Sequence, residues 1–140
     1  MRDKIIMLRK SLKIIFLLIF IFGSNFLFSV PIGSCTTLSN PGDTYTLTNP
    51  ITSTSGTCLS ITAPNVVLDC VGFSITGSNN SGSIAIYSDQ PNTTIRNCLI
   101  SNFSSGIQIV GDSADYFNIT NNTINLTYSS SCSNTNGVCN

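Results

Sequence analysis

After residue 32, apolar residues come in short alternating runs, and nowhere do they recur at the three-to-four spacing of an amphipathic helix. Three stretches repeat this arrangement: CLSITAPNVVLDCVGFSI (58–75), SIAIYSDQPNTTIRNCLISNF (83–103) and GIQIVGDSADYFNITNNTINL (106–126). Each opens on an apolar-x-apolar pair: Leu59 and Ile61, Ile84 and Ile86, Ile107 and Ile109. Each then turns through Ala-Pro-Asn, Asp-Gln-Pro-Asn or Gly-Asp-Ser-Ala-Asp. A second strand aligns on Leu68, Ile95 and Ile119, and a third on Phe73, Ile100 and Ile124. The spacings are 25 and 23 residues at the first strand and 27 and 24 at the second.

A repeat of this length, with two or three short strands, predicts an all-β solenoid of about four coils. A strand with period-2 alternation buries one side chain in two. A single coil has nothing to bury that face against, so coils stack at about 4.8 Å, like residue on like. Val, Ile and Thr suit the strands, and Gly, Asn, Asp and Pro suit the corners.

The start of the chain is different in kind. Residues 1–13 carry five of the six cations, and residues 14–22 (IIFLLIFIF) are unbroken apolar. A basic segment before a short apolar one has the form of a secretory signal. Ile14 to Ile32 is also 19 residues without a charge, close to the roughly 20 that span a bilayer as a helix. Residues 1–30 are therefore expected to be a signal peptide or an N-terminal membrane anchor. The membrane is met through residues 14–32 if the leader is not cleaved. Ile32-Gly33-Ser34-Cys35 loosely resembles a bacterial lipobox. Either way the remainder is exported, to a secreted or cell-surface location, because the cations precede the apolar run. Residues 31–57 then form an opening coil or cap, 58–126 the repeats, and 127–140 a polar tail with two cysteines. The tail has no apolar capping helix, so either its loop closes the stack or the frame is truncated.

Composition narrows the partners. Beyond residue 13 the charges are Arg96 and Asp43, Asp69, Asp89, Asp112 and Asp115, with no Glu, Lys, His or Trp. So acidic a segment lacks the basic stripe that nucleic acid requires. All six cysteines (Cys35, Cys58, Cys70, Cys98, Cys132, Cys139) lie in this segment. An even number in an exported chain reads as disulfides, whose pairing spacing alone leaves open among 15 connectivities. Cys132 and Cys139 close a short polar loop. A thiolate metal site is disfavoured, since it wants a close Cys-x-x-Cys pair or nearby His, so no metal and no cofactor is expected.

The text NVVLDCVGFSITG (65–77), NTTIRNCLISNFSSGIQI (92–109) and YFNITNNTINL (116–126) resembles the right-handed parallel β-helix, pectate-lyase-like, repeats of secreted archaeal and bacterial surface proteins. CTTLSNPGDTYTLTNPI (35–51) is similar to the opening coil of such domains. The resemblance covers about residues 35–126. It implies architecture, and says little of activity, because the superfold hosts many. Its enzymes imply an Arg base beside calcium-binding carboxylates. Its copper-linked periplasmic members imply a site built from His, Cys and Met, yet this chain has no His and both Met in the leader.

Individual residues carry two readings each. Two positions beyond Leu68, Ile95 and Ile119 stand Cys70, Asn97 and Asn121, a column that resembles the inward asparagine ladder of β-helices. A buried ladder amide at Asn121 would leave its Asn-x-Thr sequon silent. A one-residue slip stacks Cys70 on Cys98 instead, within disulfide reach. Arg96 points outward as the register partner of Asp69, so a cross-coil ion pair is preferred to a catalytic role. Asp112 and Asp115, with Asp89, are the weaker alternative for glycoside chemistry, which needs paired carboxylates; they equally suit turn capping or a weak Ca²⁺. Asn79, Asn92, Asn102, Asn118 and Asn125 also head sequons and mark surface positions. The expected function is a non-enzymatic surface protein binding polysaccharide or other envelope proteins, with a carbohydrate-active enzyme as the alternative.

Overall fold

The computed structural model describes residues 29–111 and 116–126. They fold as a parallel β-solenoid of about four coils. The chain enters through β1 (Ser29–Ile32) and β2 (Thr36–Leu38). The first full coil is β3 (Thr44–Leu47), β4 (Ile51–Thr52) and β5 (Thr57–Ile61). The second is β6 (Val67–Asp69), β7 (Ser74–Thr76) and β8 (Ile84–Ser88). The third is β9 (Thr93–Arg96), β10 (Leu99–Ser101) and β11 (Ser105–Ile109), and β12 (Phe117–Thr120) and β13 (Thr123–Asn125) start a fourth. Every pairing joins equivalent strands of successive coils, in three parallel sheets ordered β1-β3-β6-β9-β12, β2-β5-β8-β11 and β4-β7-β10-β13.

Register puts like on like along the axis. Val30, Tyr45, Leu68, Ile95 and Ile119 form one inward column. Ile51, Ile75, Ile100 and Ile124 form a second, and Leu59, Ile86 and Ile107 a third. Leu68, Ile75, Ile86 and Ile95 are wholly buried, and each such side chain contributes about 1.5–3 kcal/mol relative to exposure. Two alignments differ from those expected. Ile86, not Ile84, stacks on Leu59, and Ile75, not Phe73, stacks on Ile100. Both errors are slips of two residues. Alternation fixes which face a residue takes but is blind to a shift of two, and here loop lengths set the register. Residues 70–73 separate β6 from β7, whereas only 97–98 and 121–122 fill the matching corners.

The corners explain the asparagines. Among the described residues, seven non-glycine residues have positive φ, and six are Asn: Asn65, Asn79, Asn92, Asn97, Asn102 and Asn121. The left-handed conformation costs an L-residue about 1–2 kcal/mol, which a short amide side chain offsets by local hydrogen bonding. Turn geometry therefore accounts for these six asparagines. Val71, at φ 52°, is the exception and sits in the longer corner of the second coil.

The expected leader falls mostly outside the described residues. Its end does not: Ser29–Ile32 is strand β1, paired with β3, so the stack starts two residues inside the 1–30 segment and claims the end of the 14–32 apolar stretch. Among the described residues there is no helix, hence none long and apolar enough to cross a membrane.

Candidate functional site

A polar cluster lies where the second and third coils turn from β6 to β7 and from β9 to β10. Asp69 and Arg96 are register partners on adjacent strands, and Arg96 Nε donates to Asp69 Oδ2 at 2.8 Å. Asp69 Oδ1 accepts from Asn97 Nδ2 at 2.9 Å and from the Val71 N–H at 2.9 Å. Behind this surface, Cys70 and Cys98 form a buried disulfide with Cα atoms 4.8 Å apart. A second disulfide, Cys35–Cys58, ties the opening turn to the next coil at 4.5 Å. Adjacent coils are one strand spacing apart, which is within the reach of a disulfide. Cys132 and Cys139 lie outside the described residues. Because Cys35 is bonded to Cys58, its sulfur is not the free thiol that a lipobox reading requires.

The Asp69 carboxyl responds to opposed influences. Burial raises its pKa, but the Asn97 amide, the Val71 N–H and Arg96, through both hydrogen bond and charge, outweigh it and hold the carboxyl below its ordinary value. A depressed folded-state pKa contributes stability above the unfolded value near 3.9, lost as pH falls through the folded value. Asp69→Asn is expected to cost up to about 1 kcal/mol at pH 7, since the pair is partly exposed. The variant should also lose part of the acid-side decline expected of the native protein below about pH 4. Urea unfolding of both proteins at pH 7 and pH 3 measures this; equal slopes against pH would contradict it.

Cys70, Asn97 and Asn121 do not form an inward amide column. Cys70 stacks on Cys98, and the next rung of that column is Asn122. Asn122 Oδ1 accepts from the Cys98 N–H at 3.0 Å, and its Nδ2 donates to the Ile95 carbonyl at 2.9 Å. Asn97 and Asn121 instead take the left-handed corner position, Asn121 with an exposed side chain, so burial does not silence its sequon. Cys70 and Cys98 are 28 positions apart, one more than Leu68 and Ile95, so the column passes one residue beyond the expected asparagines. An amide-to-amide bond between coils does exist, at an exposed corner: Asn92 Nδ2 donates to Asn65 Oδ1 at 2.8 Å. The sequence holds a signal for that pair, since Asn65 and Asn92 are 27 residues apart, as are Leu68 and Ile95.

The remaining candidates are dispersed. Asp89 is exposed and accepts from its neighbour Gln90, Nε2 to Oδ1 at 2.6 Å. Asp112 and Asp115 lie outside the described residues. Asn79, Asn118 and Asn125 are exposed, Asn102 is half-buried, and the Asn92 amide is occupied by Asn65. Among the described residues, no three His, Cys, Asp or Glu side chains gather as a metal site would require. A shallow depression of about 220 Å³ is lined by Ile119, Thr120, Asn121 and Asn122. One outward row consists of short polar side chains, beside an exposed Leu99 on the same face. Thr52, Thr76, Ser101 and Asn125 run along one sheet, and Ser101 Oγ approaches Thr76 Oγ1 at 3.4 Å.

No family model, curated protein or solved structure matches this chain.

Proposed function

We propose that the chain is an exported, non-enzymatic β-solenoid that holds polysaccharide against its flat outer faces, in the manner of the right-handed, pectate-lyase-like surface repeats it resembles. The observation that carries this reading is the row Thr52, Thr76, Ser101 and Asn125: hydroxyls and amides, uncharged, repeated at the strand spacing on a rigid sheet. A repeating neutral polymer offers hydroxyls in a line, and a preorganised row meets them with little side-chain entropy to lose. The two inter-coil disulfides support an oxidising, extracellular setting.

Co-sedimentation of the full chain with insoluble polysaccharides (cellulose, chitin and peptidoglycan) tests the reading. Retention on at least one is expected, with at least tenfold weaker binding for Thr76→Lys/Ser101→Lys, whose side chains lie outside the core. Failure to bind any of them would overturn the proposal. Release of soluble sugar, abolished by Asp112→Asn, would favour a carbohydrate-active enzyme instead.

A further inference from the structure

We infer that the fold selects Asn79, of the six Asn-x-Ser/Thr sequons in the chain, as the residue that accepts an N-linked oligosaccharide. Asn79 lies in residues 77–83, GSNNSGS, which join β7 to β8. The matching connections are shorter, residues 53–56 in the first coil and 102–104 in the third. Gly77 and Ser83, at the two ends of the longer loop, are buried, and every residue between them is exposed. An insertion in one coil has no place inside the stack and stands out from it as a loop.

The loop is held at its base and open at its tip. Ser78 Oγ and Asn80 Nδ2 both donate to the Thr54 carbonyl of the preceding coil, at 2.7 and 2.6 Å. The Asn79 N–H donates to the Asn102 carbonyl of the following coil at 3.0 Å, and the Ser83 N–H closes a turn on the Asn80 carbonyl at 3.2 Å. The Asn79 side-chain amide has no hydrogen-bond partner among the described residues. Nothing lies within 4 Å of where a Cβ would stand on Gly82, so the tip has space around it.

The other five sequons are built into the coils. Asn92 Nδ2 is bonded to Asn65, and Thr93 behind it is buried. Asn102 is followed by Phe103, a core residue. Asn118, Ile119 and Thr120 belong to β12, and the Thr120 carbonyl accepts from the Asn97 N–H. Asn121 precedes Asn122, whose side chain bonds the Cys98 N–H and the Ile95 carbonyl. Asn125 ends β13, and its carbonyl accepts from the Asn102 N–H. These segments must leave their coils before they can enter a transferase groove, and opening a packed strand costs far more than opening a loop.

The donor for such a step is an oligosaccharide carried on a polyprenyl diphosphate. Asn79 Nδ2 attacks the anomeric carbon, and the new C–N bond forms as the C–O bond to phosphate breaks. The lipid diphosphate leaves with that electron pair, and one amide proton passes to a carboxylate of the transferase. The Ser81 hydroxyl, exposed in the same turn, supplies the group that makes the tripeptide a sequon. The loop stands at a corner of the solenoid, so the inference does not depend on what the Thr76–Ser101 row binds.

The test uses the folded, disulfide-intact full chain in detergent, with a single-subunit oligosaccharyltransferase that accepts Asn-x-Ser/Thr and its lipid-linked oligosaccharide. Peptide mass mapping is expected to show occupancy at Asn79 at least about tenfold above that at Asn92 or Asn102. Ser81→Ala, which leaves Asn79 and its turn in place, should abolish that product, and Ser81→Thr should restore it. Chain reduced and unfolded in urea, then diluted into the same reaction, should take glycan at Asn92 and Asn102 as well. A folded chain with no glycan at Asn79, or with no more there than at Asn92 and Asn102, would overturn the inference. The same preference in the unfolded chain would overturn it too, because local sequence and not the fold would then be selecting.

Discussion

Replacing both Cys70 and Cys98 with Ala is expected to destabilise the protein by about 3.5 kcal/mol, the chain-entropy value for a loop of nearly 30 residues. The bridge spans 28 positions and joins the second coil to the third, midway along the stack. In a solenoid each coil touches only its neighbours, so stability is a sum of coil-to-coil interfaces. Releasing this staple therefore weakens the one contact that holds the third and fourth coils to the rest. Both sulfurs are buried, so the double Ala variant also leaves a small apolar void. For a domain of this size the loss corresponds to a fall in Tm of roughly 15–25 °C. Thermal melts followed by circular dichroism, with the native protein under reductant as a second arm, measure it. An unchanged Tm would mean that the coils hold by packing alone.

The second large effect comes from a single methyl group. A Cβ added at Gly77 would lie 2.2 Å from the Asn102 carbonyl oxygen and 2.9 Å from its carbon, with Phe103 Cδ1 at 3.0 Å. Gly77 N–H also donates to the Ser101 carbonyl at 2.9 Å, so the two coils are pinned at this point. The obstacle is backbone, which cannot rotate aside as a side chain would. Gly77→Ala must therefore part the second and third coils locally, at an expected cost of about 3 kcal/mol or more. Gly42→Ala provides the comparison. Nothing lies within 4 Å of its added methyl, but φ is +78°, so the cost should be only about 1 kcal/mol. Chemical denaturation of the two variants gives the contrast, and equal losses would rule out the close approach as the cause.

Gly77 also shows how a solenoid differs from a globular core in what a sequence reveals. Nothing in GFSITGSNN marks this glycine as different from Gly72, which has open space around it and a positive φ. One is required by a neighbouring coil 25 positions away, the other by its own backbone. Single-residue features of the first kind are invisible until the coils are stacked.

Much of the fold was nonetheless present in the linear text. Period-2 alternation, recurring every 20-odd residues, admits few arrangements other than stacked coils, because a single coil cannot bury its own inward face. That logic placed Leu68, Ile95 and Ile119 in one column and paired Asp69 with Arg96 across coils, as the register has them. It also turned the export-type cysteines into candidate bridges. What alternation could not supply was phase to better than two residues, since a shift of two returns every side chain to the same face. Ile86 and Ile75 took the places expected of Ile84 and Phe73 for that reason. The asparagine column failed by a different route. At this corner Cys70 meets Cys98, 28 positions on, rather than Asn97, and the amide beside Cys98 is that of Asn122. Hydrophobic periodicity is a property of each strand and survives in one dimension. The lengths of corners, the pairing of sulfurs and the close approach at Gly77 depend on which coil lies above which residue, and only the folded stack brings those atoms together.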